Sequence, residues 1–232
     1  MPELLLDLSF ACTINLYFPS SGNKALYSIL HNYYEIGLVD LSSRSNIPNN
    51  VDILHICFPF SKTFIQEVKE YQKEFKPIFT IIHSTVPVGS CRLVDAIHSP
   101  VIGQHPFLEK GLMTFSKMLS GAQASKVADY FRRAGFKIVL FDKQETTEAA
   151  KLFLTEYYRE CIEFAKKVKT YCDKNNLNFS EVYRIPNQIY NNGYKLLEHE
   201  EFVRPILEPI MTEISGHCVM PNSKLINLIC FD

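Results

Sequence analysis

Cys218, in the run SGHCVMPN, is the side chain that most directly invites covalent chemistry. A thiolate is a strong nucleophile and a good leaving group where its surroundings lower the thiol pKa; in apolar surroundings the same group is a small hydrophobe. The residues around Cys218 leave both readings open. A second group of candidates lies in FPSSGNK, where Gly22 and the amides of a following helix can cradle a phosphate. Ser20, Ser21, Asn23 and Lys24 would surround such a phosphate with polar side chains, although an ordinary strand-to-helix turn has the same composition. Asp40 follows at the end of the next apolar run, about twenty residues on, where a carboxylate accepts from a ribose diol. The third candidate is HSTVPVGS, which sets the hydroxyl pair Ser84 and Thr85 ahead of a proline and a glycine. Such a loop, at the carboxyl end of a buried strand, presents backbone and Thr85 to a ligand.

These residues need elements to hold them. ACTINLYF is apolar and β-prone and runs through a turn cluster into a stretch where Ala25, Leu26, Ile29 and Leu30 recur at helical spacing. IGLVDL, VDILHICFPF, FTIIHSTVPV, PVIGQHP and FKIVLFD read as further strands, with helical stretches KTFIQEVKEYQKEF and ASKVADYFRRAGF between them. Near-continuous apolar strands alternating with helices predict an α/β fold, a Rossmann-like, mostly parallel sheet covered on both faces. From Glu145 onward the pattern changes: Ala150, Phe153, Tyr157, Cys161, Phe164, Val168 and Cys172 mark one stripe of a single long helix. Asp142 and Glu145 have capping-box spacing at its start. The later runs NFSEVYRIPNQIYNNGYKLL and EEFVRPILEPIMTEI read as shorter helices broken by Pro186, Gly193, Pro205 and Pro209. The expected division is therefore 1–145, a Rossmann-like domain binding NAD or NADP, and 146–232, the long helix plus a small all-helical unit.

Composition narrows the classes. With 47% hydrophobic residues and 12% aromatic, the chain can bury a sizeable core. Lys+Arg 24 against Asp+Glu 25 supplies no global attraction for nucleic acid or an anionic membrane, so neither is an expected partner. The cysteine count of 7 is odd and contains no CxxC pair, which suits a reducing, cytoplasmic compartment. No apolar run has the ~18 residues a membrane span needs.

Four segments then fall in the order of a known family. HSTVPVGS resembles the STVPVGT signature of the UDP-glucose and GDP-mannose dehydrogenases, and NVDILHICFP, ending in Pro59, is similar to their DADVVFIAV strand. TTEAAKLF resembles their SAEMIKYAAN, and SGHCVMPN their GGHCxPKD. The resemblance to this nucleotide-sugar dehydrogenase family covers roughly residues 10–225 and implies a shortened, divergent member. It further implies that a primary alcohol is oxidised in two stages with NAD as hydride acceptor, through a thiohemiacetal and a thioester on Cys218. By the same resemblance Lys151 would stabilise oxyanions, and Thr85 would lie beside the nicotinamide and the catalytic water. Thr155 would stand where the family has a helix asparagine, and Asn222 where it has an aspartate. Ser20, Ser21, Gly22, Asn23, Asp40, Pro59, Ser84 and Thr85 would contact the cofactor.

The chain departs from the family at several points. HPFLEKG lacks the acid of NPEFLREG, placing Phe107 after the proline and leaving Glu109 nearby. Only one glycine of GxGxxG remains, and the amide of Asn222 cannot act as a general base. Two functional expectations follow: an NAD-dependent oxidoreductase acting on a nucleotide sugar or related small molecule, or a non-catalytic relative that binds nucleotides or serves assembly. No metal is expected. A homodimer through helix 146–174 is expected, because its apolar residues are too widely spread for one small unit to cover.

Overall fold

The computed structural model describes residues 12–15, 21–39, 44–45, 47, 50–103, 107–210 and 225–226. The chain divides into two compact units, Met1–Lys151 and Leu152–Asp232.

In the first unit, strands β1 (Cys12–Asn15), β2 (Ile36–Val39), β3 (Arg44–Ser45), β4 (Ile53–Ile56), β5 (Phe79–Ile82), β6 (Ile97–His98), β7 (Lys117–Ser120) and β8 (Ile138–Phe141) form one sheet. Its order is β3-β2-β1-β4-β5-β6-β7-β8. The β2–β3 and β6–β7 pairings are antiparallel and the others parallel. Every residue of β4 (ILHI) and β5 (FTII) is buried, as the continuous apolar runs required. Side chains alternate between two cores. Ile53 and Ile81 face helices α1 (Ser21–Leu30), α3 (Leu108–Thr114) and α4 (Ala124–Arg133), whose Leu26, Leu30, Leu112, Val127 and Phe131 fill one layer. Leu54, Ile56 and Ile82 face α2 (Phe64–Phe75) and a 3₁₀ turn (Cys91–Val94), with Phe64, Val68 and Val94 in the other layer. The predicted α1 stripe is the face that is buried.

Strand assignments differ from the sequence reading at three places, the first being the two-residue β3, which the pattern did not mark. PVIGQHP holds no strand among its described residues 100–103; the ladder in this region is Ile97–His98, which pairs with Ile81 and Ile82. Pro100 has no N–H to give a ladder, and Gly103 adopts φ 142, which ends extended pairing there. Strand β7, KMLS, escaped the pattern because it is short and begins with a buried lysine.

Helix α5 (Gln144–Lys174) runs unbroken across the division between the units. Beyond it, Asn178 accepts at 2.8 Å from the amide of Ser180 and opens a π-turn (Ser180–Arg184) leading into α6 (Ile185–Leu196). Pro186 does not break this run. It sits in the first turn of α6, where a missing N–H is harmless, and Gly193 is simply helical. EEFVRPILEPIMTEI is not the predicted helix: a short 3₁₀ turn (Glu200–Phe202) gives way to an extended strap over 203–210, and 211 onward lies outside the described residues. Pro205 and Pro209 exclude helix there, and the strap is held to α6 instead. Asn191 donates to the Arg204 carbonyl at 2.8 Å and accepts from its amide at 2.9 Å.

Candidate functional site

In the strand order the chain moves outward from β1 to β2 and β3, then returns to β4 on the other side of β1. The crevice between the carboxyl ends of β1 and β4 is therefore the topological switch point, where open α/β sheets bind ligands. Asn15 and Ile56 end these two strands, and Ile82 and His98 end the next two. Helix α1 begins at Ser21, so Ser21, Gly22 and Asn23 occupy its first turn, whose amides have no intrahelical acceptor. Ser20 and Asp40 lie outside the described residues, as do Cys218 and Asn222.

The described part of the edge is built by hydrogen bonds between loops. Ser84 Oγ donates to the Phe58 carbonyl at 2.5 Å, drawing the segment after β5 against the segment after β4 and beside exposed Pro59. Ser84 thus serves the scaffold, and half-buried Thr85 is the hydroxyl of the pair next to it. Farther along the same loop, Gly89 takes φ 91, a left-handed conformation that glycine adopts without a Cβ penalty. Glu148, fully buried on α5, accepts from the Gly89 amide at 2.6 Å and the Cys91 amide at 2.8 Å. One carboxylate therefore clamps both ends of the turn that closes the STVPVGS loop.

One turn on, Lys151 Nζ donates to the Val101 carbonyl at 2.8 Å, which holds the amine against the segment leaving β6. Thr147 completes the attachment of α5: its hydroxyl lies 2.7 Å from His98 Nδ1 and is hydrogen-bonded to Ser120. The first turns of α5 thus hold Lys151 against the segment that follows β6. Thr155 is one turn farther along α5 and half-buried. Phe107 is exposed at the start of α3 and Glu109 is exposed in its first turn.

Sequence reasoning assigned no role to Glu148. Its signal was present as the acid of TTEAAK, three residues before Lys151 and on the same helix face. The loop amides it serves are distant in sequence, so only tertiary structure identifies them.

No protein-family model and no curated protein matches the sequence. Among solved structures, the UDP-D-ManNAc dehydrogenase from Pyrococcus horikoshii superposes with a TM-score of 0.72 at 15% identity, over 95% of this chain and 65% of that one. The fold is the Rossmann-type one of such dehydrogenases. The native UDP-N-acetyl-mannosamine dehydrogenase Cap5O from Staphylococcus aureus gives a TM-score of 0.65 at 15% identity, covering 94% of this chain and 66% of the other. The imine reductase of Myxococcus stipitatus, solved with NADP+, gives 0.52 at 10% identity, over 83% and 78% of the two chains. The chain spans 65% of the length of the first of these nucleotide-sugar dehydrogenases. The shared architecture supports a dehydrogenase-like scaffold with a Rossmann-like sheet.

The described residues fit a nicotinamide dinucleotide in part. The α1 amides are placed for a phosphate, and Thr85 and Pro59 flank the mouth of the β4–β5 edge. Among the described residues no group of His, Cys, Asp or Glu could hold a metal ion, and no helix is long and apolar enough to cross a membrane.

Proposed function

We propose that the chain is an NAD- or NADP-dependent oxidoreductase of nucleotide sugars, or of a related small primary alcohol. The observation that carries this reading is the placement of Lys151 and the Thr85 loop on one carboxyl edge, both fastened through the first turns of α5. The dinucleotide, when bound, supplies the hydride acceptor. The α1 amides and Gly22 hold its phosphates, and Asp40 takes the ribose diol. Cys218 adds as thiolate to the aldehyde carbon, and the Lys151 ammonium meets the oxyanion that forms. Thr85 orients the water that releases the acid, with Thr155 and Asn222 as neutral neighbours.

The second reading, a scaffold that binds nucleotide without turning over, is favoured by the amide at Asn222 and by the engagement of Lys151 with Val101. Calorimetric titration with NAD and NADP separates the two when combined with product formation from UDP-sugars. Binding that Gly22→Val removes, with turnover that Cys218→Ser abolishes, supports the enzyme. Binding without turnover selects the scaffold, and no binding at millimolar dinucleotide sinks both.

Assembly is the remaining part of the proposal. Leu154, Tyr157, Cys161, Phe164, Val168 and Tyr171 follow the alternating three- and four-residue spacing of a coiled-coil seam. Leu154, Tyr157, Phe164 and Tyr171 are each more than half exposed. Of the predicted stripe, Phe153, Tyr157 and Phe164 are exposed and Cys172 is buried; α5 instead buries Leu152, Ile162 and Ala165 along another face. A second copy of the chain, packed helix against helix, would cover the exposed seam.

A further inference from the structure

The proposed chemistry makes no use of a set of basic side chains buried in the sheet. His55, His83, His98 and Lys117 come from β4, the segment after β5, β6 and β7, and each is at most 5% exposed. Their hydrogen bonds assign the protons. His83 Nδ1 lies 2.8 Å from the Ser99 carbonyl, which can only accept, so Nδ1 carries a hydrogen, and in the neutral ring Nε2 then bears a lone pair. That lone pair is 2.7 Å from His55 Nδ1, which must donate to it. His55 Nε2 is then the acceptor for the Tyr130 hydroxyl, 3.2 Å away on α4. With both imidazoles neutral, the distances describe a one-directional chain, Tyr130 to His55 to His83 to Ser99. His98 is fixed likewise: Nε2 donates to the Ser84 carbonyl at 3.2 Å, and Nδ1 accepts from Thr147 at 2.7 Å.

Lys117 Nζ stands 3.4 Å from the His83 nitrogen that already carries a hydrogen, with the Phe131 ring centroid at 5.1 Å. An ammonium there would set donor against donor, whereas a neutral amine accepts. Among the described residues none of these four groups is paired with a carboxylate; Glu148, buried nearby on α5, is engaged by the Gly89 and Cys91 amides. The other titratable neighbours are Cys57 just after β4, Tyr130 from α4 and Lys151 from α5, and burial keeps the Cys57 thiol protonated at neutral pH by pushing it up to about 12.

We propose that this cluster, without a carboxylate partner among the described residues, is a pH gate built into the Rossmann-like unit, which folds with its three imidazoles neutral and opens cooperatively as they take up protons. The physical basis is linkage. Burial lowers His55 and His98 from 6.5 to about 3, lowers His83 well below 6.5, and lowers Lys117 from 10.5 to about 7. A base held below its unfolded value binds fewer protons when folded, so stability falls as pH drops through the interval between the two values. For the lysine that window runs from 10.5 down to about 7, and for the histidines from 6.5 toward about 3. The gate is independent of the proposed oxidoreductase activity.

Two measurements on the full chain test it. Long-range ¹H–¹⁵N imidazole spectra at pH 7.5 should show three neutral rings protonated at His55 Nδ1, His83 Nδ1 and His98 Nε2, persisting at pH 6. The unfolding constant from urea titrations should rise steeply between pH 6 and 5, with a slope of about three protons, that is, up to a thousandfold per pH unit. His55→Phe should lower that slope by one, and Lys117→Met should remove one proton from the slope between pH 9.5 and 7.5. If His55→Phe does not fold, the spectra and Lys117→Met carry the test. An imidazolium at any of the three histidines in the folded chain at pH 6, or slopes that Lys117→Met leaves unchanged, would overturn the proposal.

Discussion

The two units differ in what they place against water, although each also exposes some apolar side chains, as Phe107 and Leu93 do in the first. The first hides polar side chains: His55, His98, Glu148 and Ser120 are fully buried, and each is hydrogen-bonded to a named partner. The second displays apolar ones, with Tyr157, Phe164, Ile189 and Leu196 between 59% and 85% exposed. Buried polar groups are tolerable chiefly when satisfied, and these four find their partners within the first unit, although the buried Ser99 hydroxyl has none among the described residues. Exposed apolar residues at regular helical spacing are the mark of a surface awaiting a partner.

The sharpest way to break this contrast is through the thiols. Cys57 is buried with its pKa pushed up to about 12, and Cys91 is raised as well by burial and by the adjacent Glu148 carboxylate. At neutral pH iodoacetamide should alkylate Cys57 more than a thousandfold slower than an ordinary thiol of pKa ~8.5. Half-buried Cys161, on the exposed α5 seam, should react well before either. Peptide mass mapping over time checks the order, and fast labelling of Cys57 or Cys91 would mean that the first unit is not closed.

A smaller effect is expected from Glu148→Ala, which strands two loop amides that now share one carboxylate. The loss should be roughly 3 kcal/mol in urea unfolding, given ~1–3 kcal/mol per buried donor left unsatisfied. Glu148→Gln keeps one acceptor oxygen and should lose about half as much. Equal losses for the two variants would show that packing, not the paired hydrogen bonds, is what Glu148 supplies.

Tyr157→Glu combined with Phe164→Glu addresses the other unit. Sedimentation should shift from dimer to monomer at micromolar concentration, and the urea transition of the first unit should move by less than ~0.5 kcal/mol. Cys161 should label faster in this variant than in the parent. A parent chain that already sediments as a monomer would remove the dimer proposal. The smallest change is expected for Ser84→Ala, about 1 kcal/mol from the lost bond to Phe58. If Ser84 serves the scaffold alone, dinucleotide affinity should change far less in this variant than in Thr85→Ala.

Much of the architecture follows from local pattern. The runs ILHI and FTII are apolar at every position, which only a sheet covered on both faces can bury, and both are strands buried throughout. The long periodic stretch from Glu145 gave α5 its extent almost to the residue, since helices are held by contacts three and four residues apart. Strand β7 was illegible because KMLS, unlike the equally short ILHI and FTII, has no continuous apolar run, and its pairing with β6 and β8 is what defines it. The predicted helix over EEFVRPILEPIMTEI failed because its two prolines outweigh its apolar spacing once α6 offers Asn191 as a backbone partner.

By itself, then, the sequence determined the doubly covered sheet, the long helix, and the order of the motifs that carry Thr85 and Lys151. Each depends on periodicity or on residue types close together in the chain. Only the tertiary structure decided that Glu148 holds the loop bearing Thr85, that Ser84 serves the scaffold, and that three imidazoles and an amine share an interior with no carboxylate partner among the described residues. Those outcomes depend on donors and acceptors brought within 3.5 Å from residues 14 to 75 positions apart. Hydrogen bonding is directional and short-ranged, and a sequence carries no distance between residues that meet only when the sheet has formed.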